Sequence, residues 1–212
     1  MADFQRQSPV RFNTAAIETE SRDHWLVSSK YADEGNGPHL VDLSHIPRWD
    51  LQDANLASFR PCKIDIPQSP GECIVKDGVI INRMNRTQTV IWHLASGTKQ
   101  SPPENAYTDV TEATVLLAML GPHVFSVMEK LTSLDFLNPQ KTAPFLLQGP
   151  LCHVPCQIVT LEKTTEGAGS ILFTFPRGYA YDMVNAILEA GVEFALRPAG
   201  ENIFLDWLQS YV

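Results

Sequence analysis

Apolar and polar positions are unevenly distributed along the 212 residues, and the pattern divides the chain into three stretches. Residues 1–36 are polar and irregular apart from Trp25, Leu26 and Val27, and the turn-rich run 33–38 predicts an irregular arm leading into the fold. Two short apolar runs, 72–76 and 79–82, flank Asp77-Gly78, a dipeptide that tolerates the positive φ of a tight turn; a β-hairpin is expected there. In 87–95, Val90, Trp92 and Leu94 alternate with Ile91 and His93, which predicts a third strand. A strand and a helix start are read for 48–59. Residues 96–105, with Gly97, Pro102 and Pro103, break regular structure, so the halves are placed at 37–105 and 106–212.

The second half reads more clearly. Residues 115–120 form a continuous apolar run, and Gly121-Pro122 turns the chain into a helix carrying Val124, Val127, Met128, Leu131 and Leu134 at helical spacing. Residues 138–150, with three prolines and a glycine, are expected to connect. Strands follow at 157–161 and 170–175, then a helix over 179–190 with Gly191 placed as a left-handed cap. Glu201–Tyr211 carries Ile203, Phe204, Trp207, Leu208 and Tyr211 on one stripe and is expected to be an amphipathic helix packed on its own domain. The order strand, helix, strand, strand, helix is most of a split βαβ unit, so the fold class is α+β.

Charge and composition narrow the function. A net charge of −8, with no basic run, argues against nucleic acid as a partner, because counterion release needs clustered Lys and Arg. No apolar stretch approaches the roughly 20 residues that span a bilayer, and the N-terminus lacks the apolar core of a signal peptide, so a cytoplasmic protein is expected. The four cysteines are too scattered for a disulfide scaffold, and reduced thiols are expected. Cys152, His153 and Cys156 have no second ligand pair at zinc-knuckle spacing, so no metal is assigned.

The segment 40–46 places Asp42, Ser44 and His45 among apolar residues. Left unpaired in a core, each would cost about 1–3 kcal/mol, so a polar network or a ligand is expected there. A hydrolase reading fails on Ser44-His45, since neighbours on a strand point to opposite faces. Asp109 and Glu112 read as a solvated turn before the 115–120 strand, and Arg83 with Arg86 is the one local basic cluster.

Asp42-x-Ser44-His45 followed by an apolar residue resembles the early motif of the glycine cleavage T-protein superfamily, the tetrahydrofolate-dependent aminomethyltransferases. Other segments fall in the family's order. The 76–82 hairpin resembles its Gly-Gly-Val-Ile-Asp-Asp segment, Leu120-Gly121-Pro122 its Gln-Gly-Pro turn, and Gly191, Leu196, Pro198 and Gly200 its Gly-Leu-x-Pro-x-Gly ending. The resemblance implies a folate-binding fold of two βαββα-type halves, tetrahydrofolate as cofactor, and Asp42, Ser44, His45, Asn82 and Glu166 as cofactor-binding candidates.

Departures from that pattern bear on catalysis. The aspartate pair is replaced by Ile81 and Asn82, leaving Asn82 as the one catalytic candidate, and a neutral amide supplies neither a proton nor a full negative charge. The sequence ends at Val212, where T-proteins continue into a C-terminal β-barrel. Chain size and Arg6-Gln-Ser-Pro-Val10 resemble the gamma subunit of heterotetrameric sarcosine oxidase, in which other chains hold the flavins and the dinucleotide. The lack of Gly-x-Gly-x-x-Gly fits a chain without a flavin or dinucleotide site. The resemblance therefore implies an accessory subunit with other protein subunits, or a homo-oligomer, as partners. A stand-alone aminomethyltransferase or demethylase is the alternative. The cysteine motif of the tRNA-modifying folate-binding relatives is not found.

Overall fold

The computed structural model describes residues 4–95, 102–164 and 167–211. Along the chain the elements are β1 (Arg6–Gln7), β2 (Ala16–Arg22), β3 (Trp25–Tyr31), β4 (His39–Asp42), β5 (Arg48–Gln52), β6 (Cys73–Lys76), β7 (Val79–Arg83), β8 (Gln88–His93), β9 (Tyr107–Asp109) and β10 (Thr114–Gly121). They continue as α1 (Val124–Glu129), β11 (Phe145–Leu151), β12 (Val154–Lys163), β13 (Gly169–Pro176), α2 (Ala180–Gly191), β14 (Arg197–Ala199) and α3 (Glu201–Tyr211). Three sheets result, with strand orders β1-β3-β2, β11-β12-β13-β10-β4-β14 and β6-β7-β8-β5-β9.

The six-stranded sheet is buried on both faces, which is why β10 reads as an unbroken apolar run. Val115, Leu117 and Met119 meet α1 and α2, while Leu116, Ala118 and Leu120 face the five-stranded sheet. Between the two sheets, Ile80, Val90, Trp92 and Leu94 pack against Leu146, Val159, Leu161 and Leu172, and Phe204 of α3 closes the cluster. The far face of the five-stranded sheet, with Trp49, Leu51, Ile81 and Ile91, is covered by Leu56 and Ile64 from the 53–66 loop.

The expected hairpin forms: β6 and β7 pair antiparallel around Asp77 and Gly78, whose φ values of 51° and 70° make the tight turn. Cys152-His153 and Asp23-His24 turn their hairpins the same way.

Several expectations need correction. The arm expected to be irregular contributes the three-stranded sheet; its β2 is mostly exposed and polar, so periodicity gave no signal. In the first half, the helix read near residue 59 is replaced by two 3-10 turns, Leu56–Ser58 and Pro61–Lys63, and no α-helix occurs among its described residues. The described residues of 37–105 therefore do not adopt the βαββα pattern. Phe145–Leu151, expected to connect, is an edge strand, where prolines cost no ladder hydrogen bond on the open side. The first helix ends at Glu129, before Leu131 and Leu134. Gly191 is right-handed at φ −87°, and the left-handed residue is Ala195 at φ 56°. What Gly191 supplies is space: a Cβ there would lie 2.4 Å from that of Leu196. No helix among the described residues is long and apolar enough to cross a membrane.

Candidate functional site

The segment after β4 is a turn, not a strand, and its polar side chains do not form one network. Asp42 Oδ1 accepts hydrogen bonds from the Ser44 backbone N–H (3.0 Å) and hydroxyl (2.6 Å), an Asx-turn that reverses the chain and satisfies the fully buried Ser44. His45 points elsewhere. Its Nε2 lies 2.7 Å from Glu201 Oε1 at the start of α3, and Glu201 also accepts two hydrogen bonds from Arg22, at 3.0 and 2.8 Å. Burial alone would push the Glu201 carboxyl up, but His45 and then Arg22 outweigh it and hold it below the ordinary carboxylate range. Three distant parts of the chain meet in this cluster.

Arg48, wholly buried, organises the other side of the turn. Its guanidinium donates to the carbonyls of Ile46 (2.7 Å), Ser44 (3.2 Å), Thr111 and Thr114 (2.9 Å), and its Nε to the Thr114 hydroxyl (3.1 Å). Burial pulls its pKa down to about 9, opposed by the charges of Asp42 and Asp109. The charge is thus held by backbone dipoles, and it ties the 43–48 turn to the 111–114 loop.

Asn82 belongs to a different layer. On β7 it shares a face with Ile80, which packs between the two larger sheets, and it pairs in register with Val90, which in turn pairs with Asp50. Asn82, Val90 and Asp50 therefore form one cross-strand row, with Asp50 about 10 Å from Asn82 at ordinary strand spacing. Asn82 is wholly buried, and among the described residues neither polar atom of its amide has a hydrogen-bond partner. Trp92 Nε1 on β8 and Gln157 Oε1 on β12 are likewise buried and unpartnered. A cavity of about 200 Å³ opens between the sheets here, lined by Arg48, Asp50, Gln88, Trp92, Gln157 and Thr174 among others. Asp50 is poised in it, accepting hydrogen bonds from Gln88 (3.0 and 3.1 Å) and Gln52 (2.6 Å). A wider groove of about 370 Å³ shares Thr114, Gln157 and Thr174 with it.

Such unpaired groups cost about 1–3 kcal/mol each, and Trp92 and Gln157 bring two of them to the cavity, where a polar ligand would recover that free energy; Asn82 lies on the same inter-sheet face of β7 but does not line the cavity. The lining residues fit a flat heterocycle with several donors and acceptors: Gln157 offers an amide group, Trp92 a donor, Asp50 an acceptor.

Of the residues singled out in the sequence, the structure joins Asp42 to Ser44, directs His45 to Glu201, and puts Asn82 on the inter-sheet face of β7 without lining the cavity; Glu166 lies outside the described residues. Arg48, Asp50 and Glu201 were not foreseen. Arg48 and Asp50 alternate with Trp49 and Leu51, a period-2 signal that puts their side chains on the inner face. Glu201 leads an amphipathic helix and carried no such signal. The four cysteines are free thiols, and burial pushes Cys73 and Cys156 up to about 12. No group of three or more metal-ligating side chains occurs among the described residues.

No protein-family profile and no curated protein sequence matches the chain. Solved structures do. A chain of the heterotetrameric sarcosine oxidase from Corynebacterium sp. U-96, in complex with pyrrole 2-carboxylate, is similar with a TM-score of 0.60 at 15% identity, over 77% of this chain and 87% of that one. The glycine cleavage system aminomethyltransferase T from Bartonella henselae is similar with a TM-score of 0.52 at 14% identity, over 89% of this chain. The match spans 57% of that transferase's length. The molecule thus has the T-protein-like fold of these two proteins, as the Asp42-x-Ser44-His45 motif implied.

Proposed function

We propose that this chain is a T-protein-like accessory subunit that binds tetrahydrofolate between its two larger sheets, performs no aminomethyl transfer alone, and works beside other protein subunits of an oxidoreductase acting on methylated amines. The observation that carries the reading is Asn82. It stands where the resembling family has a carboxylate, buried and with both amide atoms unpartnered among the described residues, so the position offers hydrogen bonds to a ligand that reaches it and no charge to stabilise a cation. Trp92, Gln157 and Asp50 would hold the folate ring, with Asn82 on the same face of the five-stranded sheet, and the folate would supply the one-carbon carrier. Similarity to a chain of a heterotetrameric oxidase supports the expectation of partner subunits.

A second reading, a stand-alone tetrahydrofolate-dependent transferase, is favoured by Asp50, which returns a carboxylate to the row that Asn82 occupies. The experiment is a turnover assay of the purified chain with tetrahydrofolate and an aminomethyl donor. The accessory reading expects no turnover above the uncatalysed rate. Robust turnover that disappears in Asp50→Asn would establish the second reading instead.

A further inference from the structure

The bend between β3 and β4 brings a reactive pair of residues to the surface. Asn36 is the one asparagine of the sequence that precedes a glycine, and it is exposed. Glycine has no Cβ to shield its backbone nitrogen, so the nitrogen of Gly37 is open to the carbonyl carbon of the Asn36 side chain. Neither group is held elsewhere: among the described residues the Asn36 amide and the Gly37 N–H make no hydrogen bond. The other asparagines differ. Asn85 is tied through Nδ2 to Gln88 (3.1 Å) and through Oδ1 to the Thr87 N–H (2.9 Å), and Asn138 precedes a proline, which has no N–H to lose. All the rest precede a residue with a side chain. The glycine itself is required by the fold, because a Cβ on Gly37 would lie 2.6 Å from the carbonyl oxygen of Ala195. Packing therefore keeps at position 37 the residue that leaves Asn36 most open to attack.

We propose that Asn36 is a site of spontaneous deamidation, converted in the folded protein to aspartate and isoaspartate through a cyclic imide with Gly37. The Gly37 nitrogen bonds to Asn36 Cγ and gives up its proton; the bond from Cγ to the side-chain nitrogen breaks, and that nitrogen leaves as ammonia with the proton. Water then opens the ring at one of its two carbonyls. Cleavage between Cγ and the Gly37 nitrogen yields aspartate, and cleavage between the Asn36 main-chain carbonyl carbon and that nitrogen yields isoaspartate, whose main chain runs through Cβ and Cγ. Both products add a negative charge to a bend that already carries Asp33, paired with Arg197 at 2.6 Å, and Glu34. The isoaspartyl form presents a free α-carboxylate on an exposed loop, the group that carboxyl methyl transfer caps. The site shares no residue with the inter-sheet cavity and does not rest on the folate reading.

Ageing the full chain in mildly alkaline buffer tests it, with tryptic mapping by mass spectrometry as one readout and enzymatic methylation of isoaspartate as the other. The tryptic peptide 31–48 contains no other asparagine. It is expected to gain the mass of amide-to-acid exchange several-fold faster than any other asparagine-containing peptide, to separate into aspartate and isoaspartate forms, and to become a methyl acceptor. Asn36→Gln, whose longer side chain would have to close a larger ring, alters an exposed position and should abolish all three changes in that peptide. A peptide 31–48 that stays unchanged in the folded chain would overturn the proposal. So would conversion no faster than at the other asparagines, or methyl acceptance by this peptide that persists in Asn36→Gln.

Discussion

Glu201 joins three parts of the chain by itself: β2 through Arg22, the turn after β4 through His45, and α3, which it begins. Because its folded-state pKa is lowered, the unfolded chain binds the proton more readily, and stability rises with pH across that window. The contribution is full above the ordinary carboxyl value of 4.5 and is lost as pH falls through the lowered one. Glu201→Gln should therefore cost about 1.5–3 kcal/mol at pH 7, the range for hydrogen bonds to charged groups, and should flatten the decline of stability on acidification. Denaturant unfolding of both proteins from pH 7 to 3 checks this; parallel curves would show that the carboxylate is not the titrating group. None of this was legible beforehand, because a partner 156 residues away leaves no local pattern. Asp42 and Ser44 were legible because the Asx-turn is made within two residues.

Among the elements, those whose periodicity comes from burial on one or two faces were readable: β10, the β6–β7 hairpin, α2 and α3 all lie where apolar spacing put them. β2 was not, since it is a solvent-facing strand with a polar sequence, and neither was β11, an edge strand whose proline, Pro150, is tolerated there. Gly191 was read as a conformational cap, but the constraint there is steric and comes from Leu196, five residues on. Gly191→Ala leaves φ unstrained yet drives a methyl group into that side chain. A loss of about 1–3 kcal/mol is expected, as for other overpacked core positions, instead of the gain that alanine gives inside a helix. Thermal unfolding distinguishes the two signs, and a stabilised variant would mean that Leu196 simply moves aside.

In the whole molecule, the T-protein-like fold was recoverable from the order of short motifs, whereas the candidate site was not. It lies between layers: Asp50, Trp92 and Gln157 line it from β5, β8 and β12, with Asn82 on the same face of β7, and these strands meet only when two sheets stack. The amide of Asn82, buried and unpartnered among the described residues, lowers stability unless a ligand reaches it. The most direct measurement is a titration of the chain and of Asn82→Leu with tetrahydrofolate, paired with their unfolding free energies. Saturable binding by the chain, lost at least tenfold in a variant that is itself more stable by about 1 kcal/mol or more, is the expected result. Absence of binding at high micromolar tetrahydrofolate, or equal affinity in the variant, would contradict the assignment of the cleft as a folate site.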